Sequence, residues 1–130
     1  MEIRDSVVII TGASRGLGEA TARLFASQGA RVALVARSLD KLNQLARELP
    51  GSLALPVNLR DPTSIARMVA GVHTHYGRID LLINNAGQGM HGFLEHTEVA
   101  QYRLLMDLNV YGPLLTMQAV IPVCASKEEA

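Results

Sequence analysis

The sequence predicts an α/β fold in three layers, a doubly wound parallel sheet with helices on both faces. Three observations carry that expectation. Short β-branched runs alternate with amphipathic segments along the chain, the pattern of repeated βα units. The runs Val7-Val8-Ile9-Ile10, Val32-Ala33-Leu34-Val35 and Leu81-Leu82-Ile83 are apolar without alternation, as expected of strands covered on both faces. A glycine-rich segment, Thr11 to Gly18, separates the first run from the first amphipathic segment. With neither linker nor low-complexity tract between them, residues 1–130 read as one domain with enough apolar material for a core.

After the glycine segment, Leu17, Ala20, Leu24 and Phe25 fall at helical spacing, and Gly29 supplies a left-handed stop. Leu39, Leu42, Leu45, Ala46 and Leu49 repeat the device up to Pro50-Gly51. Leu53-Ala54-Leu55-Pro56-Val57 reads as the third strand in chain order. Pro56 cannot donate a ladder hydrogen bond, which places that strand at an edge and predicts the spatial order 3-2-1-4. Asp61-Pro62 opens the third helix with a capping carboxylate and a proline in the first turn, burying Ile65, Met68, Val69, Val72 and Tyr76 before Gly77. After the last strand, Thr97 is expected to cap a long apolar helix through Cys124. Gly112-Pro113 should kink that helix near Asn109 and leave irregular backbone there. In this order the fourth strand is an apolar edge, a surface that invites aggregation.

Twelve basic residues balance twelve acidic ones, so no overall field draws the chain to nucleic acid or an anionic membrane. The N-terminus lacks the basic start and long apolar stretch of a signal peptide, and no apolar run approaches the ~20 residues that span a bilayer. The cytoplasm is the expected compartment. Cys124 is the one cysteine, read as a packing residue, and His73, His75, His91 and His96 have no metal-ligand spacing. The histidines read as surface or loop residues, and no metal site is expected.

Gly12, Gly16 and Gly18 lie where a strand gives way to a helix. Glycine there lets backbone approach a pyrophosphate while the helix N-terminus offers unpaired N–H groups and partial positive charge. The context makes the sheet Rossmann-like, although the spacing differs from Gly-x-Gly-x-x-Gly. At the end of the second strand, where an acidic residue holds the ribose 2′-hydroxyl in NAD-selective sites, the chain reads Ala36-Arg37-Ser38. Arg15 and Arg37 both stand near helix N-termini, where the helix dipole disfavours a cation by roughly 0.3–1 kcal/mol. A bound anion explains that placement, and a guanidinium fork suits a phosphate.

Thr11-Gly-x-x-x-Gly-x-Gly18, followed by Asn84-Asn85-Ala86-Gly87 after the fourth strand, resembles the short-chain dehydrogenase/reductase family. Asp80 and Asn109 extend the resemblance over nearly the whole chain, which corresponds to the N-terminal half of a typical member. The resemblance implies a nicotinamide cofactor, and with Arg15 and Arg37 placed to meet a 2′-phosphate, NADP(H) is the expected preference over NAD(H). The resemblance implies that Gly12, Ser14, Arg15, Gly16, Leu17 and Gly18 cradle the phosphates. It also implies that Asn58-Leu59 and Asn85-Ala86-Gly87 line the adenosine pocket. Family members usually carry Asp where this chain has Asn58, whose amide oxygen still accepts a hydrogen bond, though without charge.

The family's carbonyl reduction uses a tyrosine acid tuned by a lysine four residues later, with a serine steadying the carbonyl. Here Tyr76, Tyr102 and Tyr111 are followed at that spacing by Asp80, Met106 and Leu115, and Ser126 lacks the strand that would carry the serine role. Asn109 matches the family's helix asparagine, so the resemblance implies a part for it in the proton relay. Gln88 to Leu94 would border a substrate.

The resulting expectation is the cofactor-binding half of an NADP(H)-dependent oxidoreductase acting on an alcohol or carbonyl compound, inactive by itself. The long helix would be a surface for homo-oligomer formation, as in the family. The alternatives are a non-catalytic nucleotide-binding or interaction module, or another Rossmann-type enzyme using a different nucleotide. Asn84 to Gly87 and Asn109 speak against the last.

Overall fold

In the computed structural model, which describes residues 2–124, four parallel strands form one sheet in the order β3-β2-β1-β4. The strands are β1 (Val7–Thr11), β2 (Arg31–Ala36), β3 (Leu53–Pro56) and β4 (Leu81–Ile83). Register follows from pairings such as Ile9 with Ala33 and Leu82, and Leu34 with Ala54. Pro56 sits on the outer strand opposite Ala36, where its missing N–H breaks no further ladder.

The unbroken apolar runs serve two cores. Val7, Ile9, Ala33 and Val35 face one side, with Val57, Ile65, Met68, Val72 and Val120. Val8, Ile10, Val32 and Leu34 face the other, with Ala22, Leu42, Leu45 and Leu49. Successive residues of a strand point to opposite faces, so burying both faces requires every position to be apolar.

The helices on the second face are α1 (Gly16–Ser27) and α2 (Leu39–Glu48). The α1 core face differs from the expectation: Leu17 and Leu24 are 75% and 61% exposed, whereas Gly18 and Ala22 are buried. At its first turn helix α1 approaches the glycine loop so closely that only glycine fits at Gly18, while further along Phe25 packs against the core as expected. In α2, Leu42 and Leu45 are buried as expected, but Leu39 is exposed.

Across the sheet lies α3 (Pro62–Tyr76), capped by Asp61, whose Oδ1 accepts from Thr63 N at 3.0 Å. Ile65, Met68, Val69 and Val72 are buried; Tyr76 is only half-buried because its hydroxyl reaches out to donate to the Gly51 carbonyl. Gly29 and Gly77 both adopt positive φ and end their helices as expected.

The last helical stretch contains α4 (Val99–Met106), a π-helical segment Asp107–Tyr111, and α5 (Gly112–Val120). Pro113 has no N–H to offer the Asn109 carbonyl, and the ladder widens there to i→i+5, the irregularity expected near Asn109. Two expectations are corrected. Thr97 does not cap α4: Glu98 precedes the helix, and the Thr97 hydroxyl donates backwards to the Phe93 carbonyl at 3.2 Å. Cys124 is not helical, because the helical stretch ends in a 3-10 turn at Val123; Cys124 is extended and forms a parallel bridge with Ile79. That bridge covers part of the edge that the sequence left bare, and Cys124 packs against the core as expected. Ser126 and the rest of the tail lie outside the described residues.

A third correction concerns length and hydropathy. Residues Val99–Val123 form one helical stretch of 25 residues that contains an 18-residue window of mean hydropathy 1.3, long and apolar enough to cross a bilayer by length and composition. The apolar character is hidden in the sequence because polar residues such as Asp107, Asn109 and Gln118 interrupt the run. Its α5 part is docked on the protein, with Gly112, Thr116 and Val120 buried and α5 packed on α3, whereas α4 has no buried residue.

Asp80, just before β4, is buried. Its Oδ2 accepts from Val7 N at 2.8 Å while its own N–H donates to the Val7 carbonyl at 2.9 Å. Arg78 Nε donates to the same carboxylate at 2.9 Å. Burial alone would raise the Asp80 pKa, but the Arg78 hydrogen bonds and the Val7 N–H outweigh it and hold the carboxyl below its usual range.

Candidate cofactor site

The carboxyl ends of the strands open into a cleft of about 800 Å³, the position where open parallel sheets receive ligands. Its glycine wall is built by exclusion. A Cβ on Gly12 would stand 2.9 Å from Ala86 Cα, and one on Gly18 would stand 2.8 Å from the Gly12 carbonyl carbon and 2.5 Å from Asn85 Nδ2. Helix α1, the loop before it and the segment after β4 are thus in mutual backbone contact. Gly16, by contrast, has φ +57° and open space where a side chain would be.

The two sequence motifs are interlocked. The Thr11 hydroxyl, buried at the end of β1, accepts from both Asn85 N and Ala86 N at 3.0 Å. Asn85 Nδ2 donates to the Gly12 carbonyl at 3.2 Å. Thr11 is therefore a site residue that sequence reasoning used only as a motif letter. Thr11→Val is expected to strand both N–H groups and cost about 2 kcal/mol, read as a lowered midpoint in urea denaturation. An unchanged midpoint would remove the hydroxyl from this role.

Gly12, Ser14, Arg15, Gly16, Leu17, Arg37, Asn58, Leu59, Asn85, Ala86 and Gly87 all line the cleft. Gly18 and Asn109 are not among its lining residues. Gly18 stands behind the wall as a packing residue. Asn109 uses both ends of its side chain on Gln88, donating from Nδ2 to the Gln88 carbonyl at 2.7 Å and accepting from Gln88 N at 2.9 Å. It ties the π-helical segment to the loop after β4, and Gln88 itself lines the cleft. Gly112 completes the fit, since a Cβ there would meet the Leu59 carbonyl at 2.8 Å. Asn58 Oδ1 accepts from Arg60 N at 3.0 Å, an Asx-type turn that shapes the end of β3.

The cleft is electropositive. Arg15, Arg37, Lys41 and Arg60 line it, and no Asp or Glu does. Arg15 is the residue immediately before α1, as the sequence led us to expect. Lys41 and Arg60 were not singled out from the sequence; hints were present in the first turn of α2 and the residue after Asn58-Leu59. Arg60 Nε is engaged by the Leu104 carbonyl at 2.9 Å, which fastens the β3–α3 connection to α4. Among the described residues no group of three or more His, Cys, Asp or Glu side chains could hold a metal, and the four histidines are exposed.

The short chain dehydrogenase family model matches residues 6–130. The chain belongs to that family. This short-chain dehydrogenase chain is 34% identical over 135 residues to the mouse dehydrogenase/reductase SDR family member 7B, covering 98% of this chain and 42% of that protein. It is 37% identical over 122 residues to 11-beta-hydroxysteroid dehydrogenase 1A of Arabidopsis thaliana, covering 89% and 35%. Among solved structures, a metagenomic short-chain oxidoreductase in complex with NADP superposes with TM-score 0.87 at 36% identity, covering 93% of this chain and 57% of that one. The 3-ketoacyl-(acyl-carrier-protein) reductase of Brucella melitensis, complexed with NADH, gives TM-score 0.91 at 30% identity, with 94% and 51% covered. The chain thus spans between about a third and three fifths of these relatives' lengths.

Proposed function

We propose that this short-chain dehydrogenase chain holds NADP(H) in the cleft in preference to NAD(H), as the cofactor-binding part of an oxidoreductase acting on an alcohol or carbonyl group. The observation that carries the reading is the lining itself, a backbone wall of glycines beside four cations with no carboxylate. The backbone wall admits a pyrophosphate, and the missing acid removes the group that would repel a 2′-phosphate. In this reading Gly12, Ser14, Gly16 and Leu17 face the pyrophosphate, Arg15 and Arg37 the 2′-phosphate, and Asn58, Leu59 and Asn85 to Gly87 the adenosine. A nicotinamide cofactor, when bound, supplies hydride chemistry.

The neighbours are consistent with that class of ligand, one being complexed with NADP, another with NADH, and the L-sorbose reductase of Gluconobacter frateurii with NADPH and L-sorbose. Residues 1–130 contain no Tyr-x-x-x-Lys, and we assign them binding without turnover on their own. Asn109 acts here by positioning Gln88 and the π-helical segment at the edge of the cleft. Val99, Tyr102, Leu114 and Ile121 are exposed along the last helical stretch, which supports self-association through that face.

Titration of the chain with NADPH and with NADH, followed by nicotinamide fluorescence, tests the cofactor reading. NADPH is expected to bind at least about tenfold more tightly, a difference that one or two charge-assisted hydrogen bonds supply. Equal affinities would overturn it.

A further inference from the structure

We infer that Lys41 is a specificity-determining residue of the cleft, the third cation of a seat for a phosphate on the adenosine ribose, beside Arg15 and Arg37. This rests on the cofactor reading above and adds a residue to it. Lys41 is the third residue of α2, in a turn where the helix dipole disfavours positive charge. Its neighbour Asp40 carries the sign that the dipole favours, yet Lys41 and not Asp40 lines the cleft. Lys41 takes part in none of the ion pairs formed among the described residues, which join Arg23 to Glu19 and Glu48, and Arg78 to Asp80.

Ser38, at the N-cap of α2, strengthens the assignment. A serine there ordinarily accepts from a backbone N–H of the first turn, but the Ser38 side chain makes no such bond and lines the cleft instead. Arg37, Ser38 and Lys41, all at the start of α2, thus bring two cations and a hydroxyl to the cleft, and Arg15 lines it from the β1–α1 loop. Arg60 is set apart by its bond to the Leu104 carbonyl, which holds it toward α4. A lysine in this place acts as a point charge, so its contribution depends on charge and little on geometry.

The test measures NADPH and NADH affinity for the full chain, for Lys41→Gln and for Lys41→Arg. Lys41→Gln is expected to weaken NADPH binding about tenfold while leaving NADH within about twofold, and Lys41→Arg to retain most of the NADPH affinity. The wild-type advantage of NADPH should also shrink as salt rises, and shrink less in Lys41→Gln. If the wild type prefers NADPH but Lys41→Gln changes both cofactors equally or neither, the inference on Lys41 is overturned and the cofactor reading stands. If the wild type itself shows no preference, both fall together.

Discussion

Gly18→Val is expected to lower NADPH affinity by more than about 100-fold and to destabilise the fold by about 3 kcal/mol. The side chain would enter the space held by the Gly12 carbonyl and the Asn85 amide. Neither neighbour is the free end of a flexible side chain: one is loop backbone, and the other is tied to that backbone by its own hydrogen bond. Relief therefore requires α1 to withdraw from β1, which pulls the first-turn N–H groups away from the pyrophosphate position. Gly16→Ala provides the contrast. Space is open there, so the cost is confined to holding a residue at φ +57°, about 1 kcal/mol, with a smaller loss of affinity. Fluorescence titration and thermal melts of the two variants measure the difference. Equal behaviour of Gly18→Val and wild type would mean that the close packing does not shape the phosphate loop.

Asp80→Ala is the substitution with the largest expected effect on stability alone, about 3 kcal/mol. It removes the acceptor of the Val7 N–H in the buried centre of the sheet and leaves Arg78 without this partner. Because the folded carboxyl titrates below its ordinary value of 3.8, the unfolded chain binds more protons than the folded one as acidity increases through that region. The contribution of Asp80 is thus fully present above the unfolded pKa and is lost as pH falls through the lower folded value. Asp80→Asn, which keeps an oxygen acceptor, should show a shallower loss of stability below about pH 4 than the wild type. Denaturation midpoints between pH 3 and pH 7 check this, and parallel profiles for wild type and Asp80→Asn would contradict it.

The fold was legible because its main signals are local. Val7 to Ile10 and Val32 to Val35 are apolar at every position, which suits strands buried on both faces; Pro56 marks an edge, and Asp61-Pro62 marks a helix start. The same locality explains the errors. Leu17 and Leu24 have the right helical spacing, but spacing cannot tell which face a helix turns inward when the inner face is closely packed. Gly18 is buried because backbone contact with Gly12 admits nothing larger, and Ala22, one turn on, falls on the same buried face. Thr97 has a capping side chain, but the chain bends back at Leu94–His96 and takes its hydroxyl to Phe93.

By itself the sequence determined the strands, their order, the glycine turn and two of the cations, because each is written in neighbouring residues. Only the tertiary structure decided which residues share the cleft. Thr11 meets Asn85 and Ala86 across more than seventy positions, and Arg60 meets Leu104 across more than forty. Such contacts depend on sheet register and on where each crossover helix lands, neither of which periodicity encodes. Lys41 became a candidate in the same way, as a residue unremarkable among its neighbours until folding placed it in the lining of a cleft without carboxylates.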